Sequence, residues 1–194
     1  RVHYVRHVQN IGSPSNFNYG CKVGTGRYFA MISADDFILP GHFSNLIQKL
    51  IANPHCALAY SKMCQVDSHG TMIGQAGHSG NTTDSYIGGR DEETDLLLYG
   101  VYQCLPAIIF NRAMIGDYLS FDFDTWGASD WDLMVRIARR HPDFIYDNRV
   151  TTCYRRHAGQ YTSTNFYLSP EPLYGHMFML EQALVQMPPH KIAQ

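Results

Sequence analysis

The chain has 194 residues, and 15 Lys and Arg against 17 Asp and Glu give a formal net charge of -2 with His neutral, a balance that speaks against nucleic acid as a main partner. Apolar residues make up 45% and charged residues 16%, and Gly, Pro and Ser are scattered, which excludes a disordered chain. One domain burying roughly 70% of its unfolded surface is expected, and with no apolar run near ~18 residues there is no candidate spanning helix.

Residues 2–7 read as extended, and Gly12, Ser13 and Pro14 mark a turn into a Ser-capped, Pro-started helix over about 14–23. Residues 27–33 are a short apolar run between glycines and acids, as expected of a strand buried on both faces of a parallel sheet. Strand, helix and strand then read as a right-handed crossover. Over 41–53, Phe43, Leu46, Ile47, Leu50 and Ile51 recur at amphipathic-helix spacing, and Asn53-Pro54 ends the helix. Residues 57–66 read as a strand closed by the turn Asp67-Ser68-His69-Gly70. Residues 74–90 hold five glycines without periodicity and read as a surface loop of the kind that covers a site. Residues 91–99 suit a short helix with acids in its first turn, and 106–110 a buried strand. Ser129 is expected to cap a helix running to about Arg140, with Trp131, Met134, Val135 and Ala138 on one face and Arg136, Arg139 and Arg140 in its later turns. Pro142 stops it. Residues 150–154 read as a strand, 162–172 as a loop, and 173–187, with Leu173, Met177, Leu180, Leu184 and Met187, as a Met-rich amphipathic helix.

Three short segments carry chemistry. Ser33-Ala34-Asp35-Asp36 follows the 27–33 strand, and ligands of open α/β sheets bind beyond the carboxyl ends of strands, so these carboxylates suit a ligand or a hard cation. A plain turn before Pro40 reads equally well. Ser129-Asp130-Trp131-Asp132 puts an acid at a helix start, where the dipole keeps it anionic and able to take a proton from a bound hydroxyl. An ordinary capping acid is the commoner occupant of such a place. In Tyr154-Arg155-Arg156-His157 the imidazole can complete an oxygen-rich Mn²⁺ or Mg²⁺ site and a guanidinium can neutralise phosphate; the alternative is a solvated basic turn. Five cysteines, an odd number with no CxxC pair, suggest neither a disulfide framework nor a zinc knuckle and favour a reducing compartment.

Taken in order, Asn10-x-Gly12, Asn18-x-Gly20, Gly26-Arg27-Tyr28, Ala34-Asp35-Asp36 with Pro40, Asn53-Pro54, Asp67-x-x-Gly70, Ser129-Asp130-Trp131-Asp132 with Arg136, and Tyr154-Arg155-x-His157 resemble the family 2 glycosyltransferases of GT-A fold, over most of the chain to about residue 164. The resemblance implies an α/β fold of GT-A type, Rossmann-like, with a mixed, mostly parallel sheet flanked by helices and lacking its first strands. Residues 1–164 would be a partial GT-A domain, and 165–194 a loop and helix packed on it. It also implies a nucleotide-sugar donor, a UDP-sugar first among them, and a divalent cation, Mn²⁺ or Mg²⁺, held by Asp36, Asp35 and His157. Asp130 would be the base, and Asn18, Ser33, Asp35 and Arg155 would meet the donor. The acceptor would be a glycan or lipid-linked sugar, with Trp126, Trp131 and Tyr102 as its platform, although aromatics so placed also suit a core.

Two residues depart from the family pattern: Ser33 stands where its first acid is usual, and Ser129 precedes Asp130 where Glu is usual. The front strand with its Pro-Thr-Tyr-Asn-like turn is not in the sequence, which opens on Arg1 without a signal-peptide pattern, so we read it as the later part of a longer protein. The Gln-x-x-Arg-Trp motif of processive synthases is also absent. A degenerate, non-catalytic glycosyltransferase that binds a nucleotide or a partner is the second reading, and a sugar-phosphate nucleotidyltransferase the third. The polar face of the 173–187 helix has no Lys/Arg cluster, which favours packing on the domain over lying on a membrane; a cytoplasmic location, at most peripheral to the inner membrane face, is expected. The central expectation is that Asp36, Asp130 and His157 meet in one cleft.

Overall fold

The computed structural model describes residues 2–76, 84–160 and 170–192, so most of the expected loop at 162–172 and the middle of that at 74–90 lie outside the described residues. Seven strands form one sheet in the order β1 (Tyr28–Ala30), β6 (Ile108–Asn111), β3 (Leu58–Val66), β7 (Phe144–Arg155), β2 (Phe37–Ile38), with β4 (Met72–Ala76) on β3 and β5 (Tyr86–Ile87) on β7. Around it lie α1 (Ser13–Val23), α2 (His42–Ala52), α3 (Glu92–Tyr99), α4 (Arg112–Ile115), α5 (Ser129–Arg140), α6 (Glu171–Val185) and α7 (Pro189–Ile192). The α/β class and the helix-flanked mixed sheet are as expected. The balance of pairings is not mostly parallel: β3 and β7 run parallel, whereas β1/β6, β2/β7, β3/β4, β3/β6 and β5/β7 are antiparallel. Short connections such as the 67–71 turn can join only antiparallel neighbours.

The core strands are buried on both sides, and their residues alternate. Leu58, Tyr60, Ile108, Phe110, Phe144 and Tyr146 join Leu96 of α3, Met134 and Ile137 of α5 and Met179 of α6 in the larger core. The residues between them, Ala59, Ile109 and Ile145, meet Leu46 and Leu50 of α2 on the other face, as the period of two requires. Truncating either leucine to Ala would cost about 2–5 kcal/mol. The apolar stripe of α2 is narrower than its sequence suggests, since Phe43 and Ile51 are exposed.

Four local expectations fail for identifiable reasons. Residues 2–7 form no strand, and Val2 and Tyr4 are 94% and 84% exposed; alternation alone does not make a strand without a neighbour to bond, so the crossover unit is not formed either. β1 has three half-buried residues at the sheet edge, so it is not a strand buried on both faces. The 74–90 segment contributes the end of β4 and all of β5. Neither Ser13 nor Ser129 caps a helix: Gly12, at φ 79°, stands at the N-cap of α1, and Ala128 at that of α5. No helix among the described residues is long and apolar enough to cross a membrane.

Candidate active site

Between Ala30 and Phe37 the chain passes from one edge of the sheet to the other, because β1 pairs with β6 whereas β2 pairs with β7. Asp35 and Asp36 ride on this crossing, and β2 fastens its far end to the closing residues of β7, with Phe37 opposite Cys153. That pairing brings the acids to the Tyr154–His157 segment, 119 residues away in sequence: the Arg155 amide donates to Asp36 Oδ1 at 2.9 Å. His157 Nε2 lies 3.2 Å from Asp35 Oδ2. His157 is set in turn by its own amide, which donates to Gln160 Oε1 at 2.9 Å, while Gln160 Nε2 donates to the Tyr154 hydroxyl at 2.7 Å.

Asp36 is 9% exposed, and its second oxygen, Oδ2, is buried without a hydrogen-bond partner. Burial raises its carboxyl above the ordinary carboxylate range, the Arg155 amide pulls it down, and the charge of Asp35 pushes it up again. The Ser33 hydroxyl also lowers it from close by, without completing a hydrogen bond to Oδ2. A buried, unpartnered carboxylate oxygen costs stability, and such a group calls for a water, an ion or a ligand.

Arg155 bonds the backbone of two separate segments. Its Nε donates to the Asp35 carbonyl at 2.9 Å, and Nη1 to the Asp67 and Ser68 carbonyls at 3.2 and 3.0 Å. The guanidinium therefore clamps the acidic crossing to the turn after β3, so Arg155 positions the acids.

Asp130 sits in the first turn of α5, where its Oδ1 accepts the Trp131 amide at 2.8 Å. Burial raises its carboxyl, against the pull of that amide and of His176. The link to the first cluster is Cys104, just ahead of β6. Burial raises its thiol, and the charges of Asp36 and Asp130 raise it further, so both carboxylates lie within electrostatic reach of one sulfur. The next acid, Asp132, pairs with Arg136 at 2.7 Å, and Arg136 also donates to the Tyr118 and Ser120 carbonyls, tying the approach to α5 in place.

The remaining expected residues go elsewhere. Asn18 Nδ2 donates to the Phe121 carbonyl at 2.8 Å and its Oδ1 accepts the Phe121 amide at 2.7 Å, so it holds the 121–127 stretch onto α1. Trp131 is 9% exposed, belongs to the larger core and donates from Nε1 to the Leu96 carbonyl at 2.8 Å. Tyr102 is likewise in the core: its hydroxyl donates to Glu92, which also accepts Tyr86. Both are core residues and not an acceptor platform, because their polar tips are already bonded to the interior. The side chain of Trp126 lies outside the described residues.

Sequence reasoning missed Cys104 and its neighbour Gln103. Gln103 is 4% exposed with both ends of its amide unpartnered; the available signal was a lone amide inside the apolar run Val101-Tyr102-Gln103-Cys104-Leu105. Two hollows are lined by residues of 7–16 and of 38–44, and neither includes Asp35, Asp36, Asp130 or His157.

Comparison with known proteins gives a consistent answer. The family described as "Glycosyl transferase family 2" matches residues 1–114. No curated protein matches the chain. Among solved structures, S. aureus TarS 1-349 in complex with UDP-GlcNAc is 16% identical over 90% of this chain and 48% of that one, with a TM-score of 0.65. The same protein in complex with UDP is 16% identical over 90% and 46%, with a TM-score of 0.59. At this identity the likeness shows the GT-A fold, and the chain spans about half the length of those structures.

Proposed function

The chain belongs to glycosyltransferase family 2, and from that premise we propose that it moves a sugar from a nucleoside-diphosphate donor to an acceptor hydroxyl with inversion at the anomeric carbon. A UDP-sugar is the proposed donor, supported by the TarS structures, which hold UDP-GlcNAc and UDP. The observation that carries the reading is the orphaned Asp36 Oδ2, next in the chain to the Asp35–His157 contact; the charges of both Asp36 and Asp130 raise the Cys104 thiol.

These residues fit a divalent cation. Two carboxylates and an imidazole are the donor set that suits Mn²⁺ or Mg²⁺. Among the described residues no three such side chains form a preformed cage. Asp36, Asp35 and His157 would hold it, and when bound it supplies Lewis-acid stabilisation of the departing diphosphate. Arg155 keeps the acidic crossing in register by its three carbonyl contacts, and Ser33 offers a hydroxyl to the donor at the place of the usual first acid.

Asp130 takes the proton of the acceptor hydroxyl as it attacks. Its raised carboxyl makes it a stronger base than an exposed Asp, and single displacement needs one base and no covalent carrier. A glycan or lipid-linked sugar is the proposed acceptor class. A cytoplasmic, reducing setting is part of the proposal, supported by five free cysteines. The test is titration calorimetry of UDP into metal-stripped protein with and without Mn²⁺. Binding at least about tenfold tighter with the metal, some 1.4 kcal/mol, is expected; equal binding with and without Mn²⁺ overturns the cation site.

A further inference from the structure

Apart from the site, one pair of reactive side chains is set face to face. Cys64 on β3 and Cys153 on β7 have their sulfurs 3.1 Å apart, and both are buried, at 2% and 4% exposure. They are direct partners in the parallel ladder. Their meeting depends on an irregularity: Ser61 faces Asp147, so an unbroken ladder would put Val150 opposite Cys64, but register shifts on either side of Lys62 bring Cys153 there instead. With Val66, and with Phe37, Leu39 and Val150 packed around them, the two thiols form a small apolar cluster separate from the main core. Cys153 is also the ladder partner of Phe37, the residue after Asp36.

We propose that Cys64 and Cys153 are an oxidation site, closing on exposure to a hydroperoxide to an intrachain disulfide that joins β3 to β7 beside the acidic crossing. Adjacent strands stand about 4.8 Å apart, inside the ~4.4–6.8 Å separation of Cα atoms that disulfides take. The sulfurs need to approach by only about 1 Å to reach the ~2.05 Å bond length. One thiol, as thiolate, attacks the peroxide oxygen, breaking the O–O bond and giving a sulfenic acid; the second thiol then attacks that sulfur and displaces water. With hydrogen peroxide the sum is two thiols and one peroxide to one disulfide and two waters, sulfur oxidised and peroxide oxygen reduced. Burial and the contact with Cys64 push the Cys153 thiol up to about 12, so the step is slow, and the tight cluster admits a small oxidant in preference to a bulky disulfide reagent. Among the described residues no other two cysteine sulfurs are in hydrogen-bond contact.

The experiment exposes the protein to hydrogen peroxide without reductant, unfolds it, counts thiols and maps digested peptides by mass. Loss of two of the five thiols, a mass lower by two hydrogens and a linked peptide pair carrying Cys64 and Cys153 are expected. Cys64→Ala and Cys153→Ala proteins should yield no linked pair, while Cys21→Ala and Cys56→Ala proteins should still yield it. Retention of all five thiols, a link through a different cysteine, or sulfinic acid at either position without a link overturns the proposal. The outcome is independent of the glycosyltransferase reading, because no nucleotide or sugar enters the measurement.

Discussion

Replacing Asp36 by Asn separates what the acidic crossing does for binding from what it does to stability. The variant keeps an oxygen for the Arg155 amide, which now donates to Oδ1 at 2.9 Å, but removes the charge. A hydrogen bond to a charged group contributes about 1.5–3 kcal/mol and a neutral one about 0.5–1.5, so about 1 kcal/mol is lost there. The buried, unpartnered anionic oxygen gives way to an amide nitrogen that is unpartnered too but neutral, and because an unsatisfied charged group costs more than an unsatisfied neutral one, about 2 kcal/mol is returned. The net expectation is a metal-free protein more stable by about 1 kcal/mol at neutral pH. Because burial raises the Asp36 carboxyl in the folded protein, its favourable contribution is complete below the unfolded carboxylate pKa and is lost as pH rises through the folded value. The advantage of Asn should therefore grow as pH rises through the folded pKa and vanish in acid. The lowered carboxyls of Asp91 and Asp147 act in the opposite sense but cancel between the two proteins. Urea unfolding across pH, in chelator, reads the stability, and calorimetry with UDP and Mn²⁺ reads the function, where a loss of at least about tenfold is expected. A variant less stable at every pH, or one that binds UDP and Mn²⁺ as the parent does, refutes the reasoning.

Three further changes follow from the same geometry. Asp130→Asn should lower transfer by about 10²–10⁴-fold and remove the acid limb of the rate profile, which the raised carboxyl of Asp130 places above the usual Asp range; an unchanged limb assigns the base to another residue. Arg155→Ala frees the Asp35, Asp67 and Ser68 carbonyls and should cost about 1–3 kcal/mol in thermal or urea unfolding, with Mn²⁺-dependent UDP binding weakened and only partly restored by Lys, which lacks the planar fork. Gln103→Met removes a buried amide with both ends unpartnered and should stabilise the metal-free protein by about 1 kcal/mol; a loss of stability in urea would mean that the amide is bonded in solution.

Much of the scaffold was legible because periodicity reports burial. The recurrence of Leu46 and Leu50 marked α2, and the apolar run of 57–66 marked β3. Residues 2–7 were misread because alternation gives the face of a strand but not the neighbour that completes its ladder. The site was legible in part. Asp35, Asp36, Asp130 and His157 were singled out from residue type and place, and the structure sets His157 against Asp35 and the Arg155 amide against Asp36. The tasks of Asn18, Arg155, Trp131 and Tyr102 were not legible, because each is decided by a carbonyl or carboxylate distant in sequence: Phe121 for Asn18, Asp67 for Arg155, Leu96 for Trp131, Glu92 for Tyr102. Cys104 and Gln103 carry no spacing signal at all.

The placement of Trp131 also gives the protein an optical readout of its own. Its indole is hydrogen-bonded to the Leu96 carbonyl and its ring centroid stands 5.5 Å from that of His176, one residue after Asp130. The sequence holds only two tryptophans, so a Trp126→Phe protein carries a single indole. Its brightness and wavelength then register what happens at the start of α5, as ligand arrives or pH changes, without any attached label.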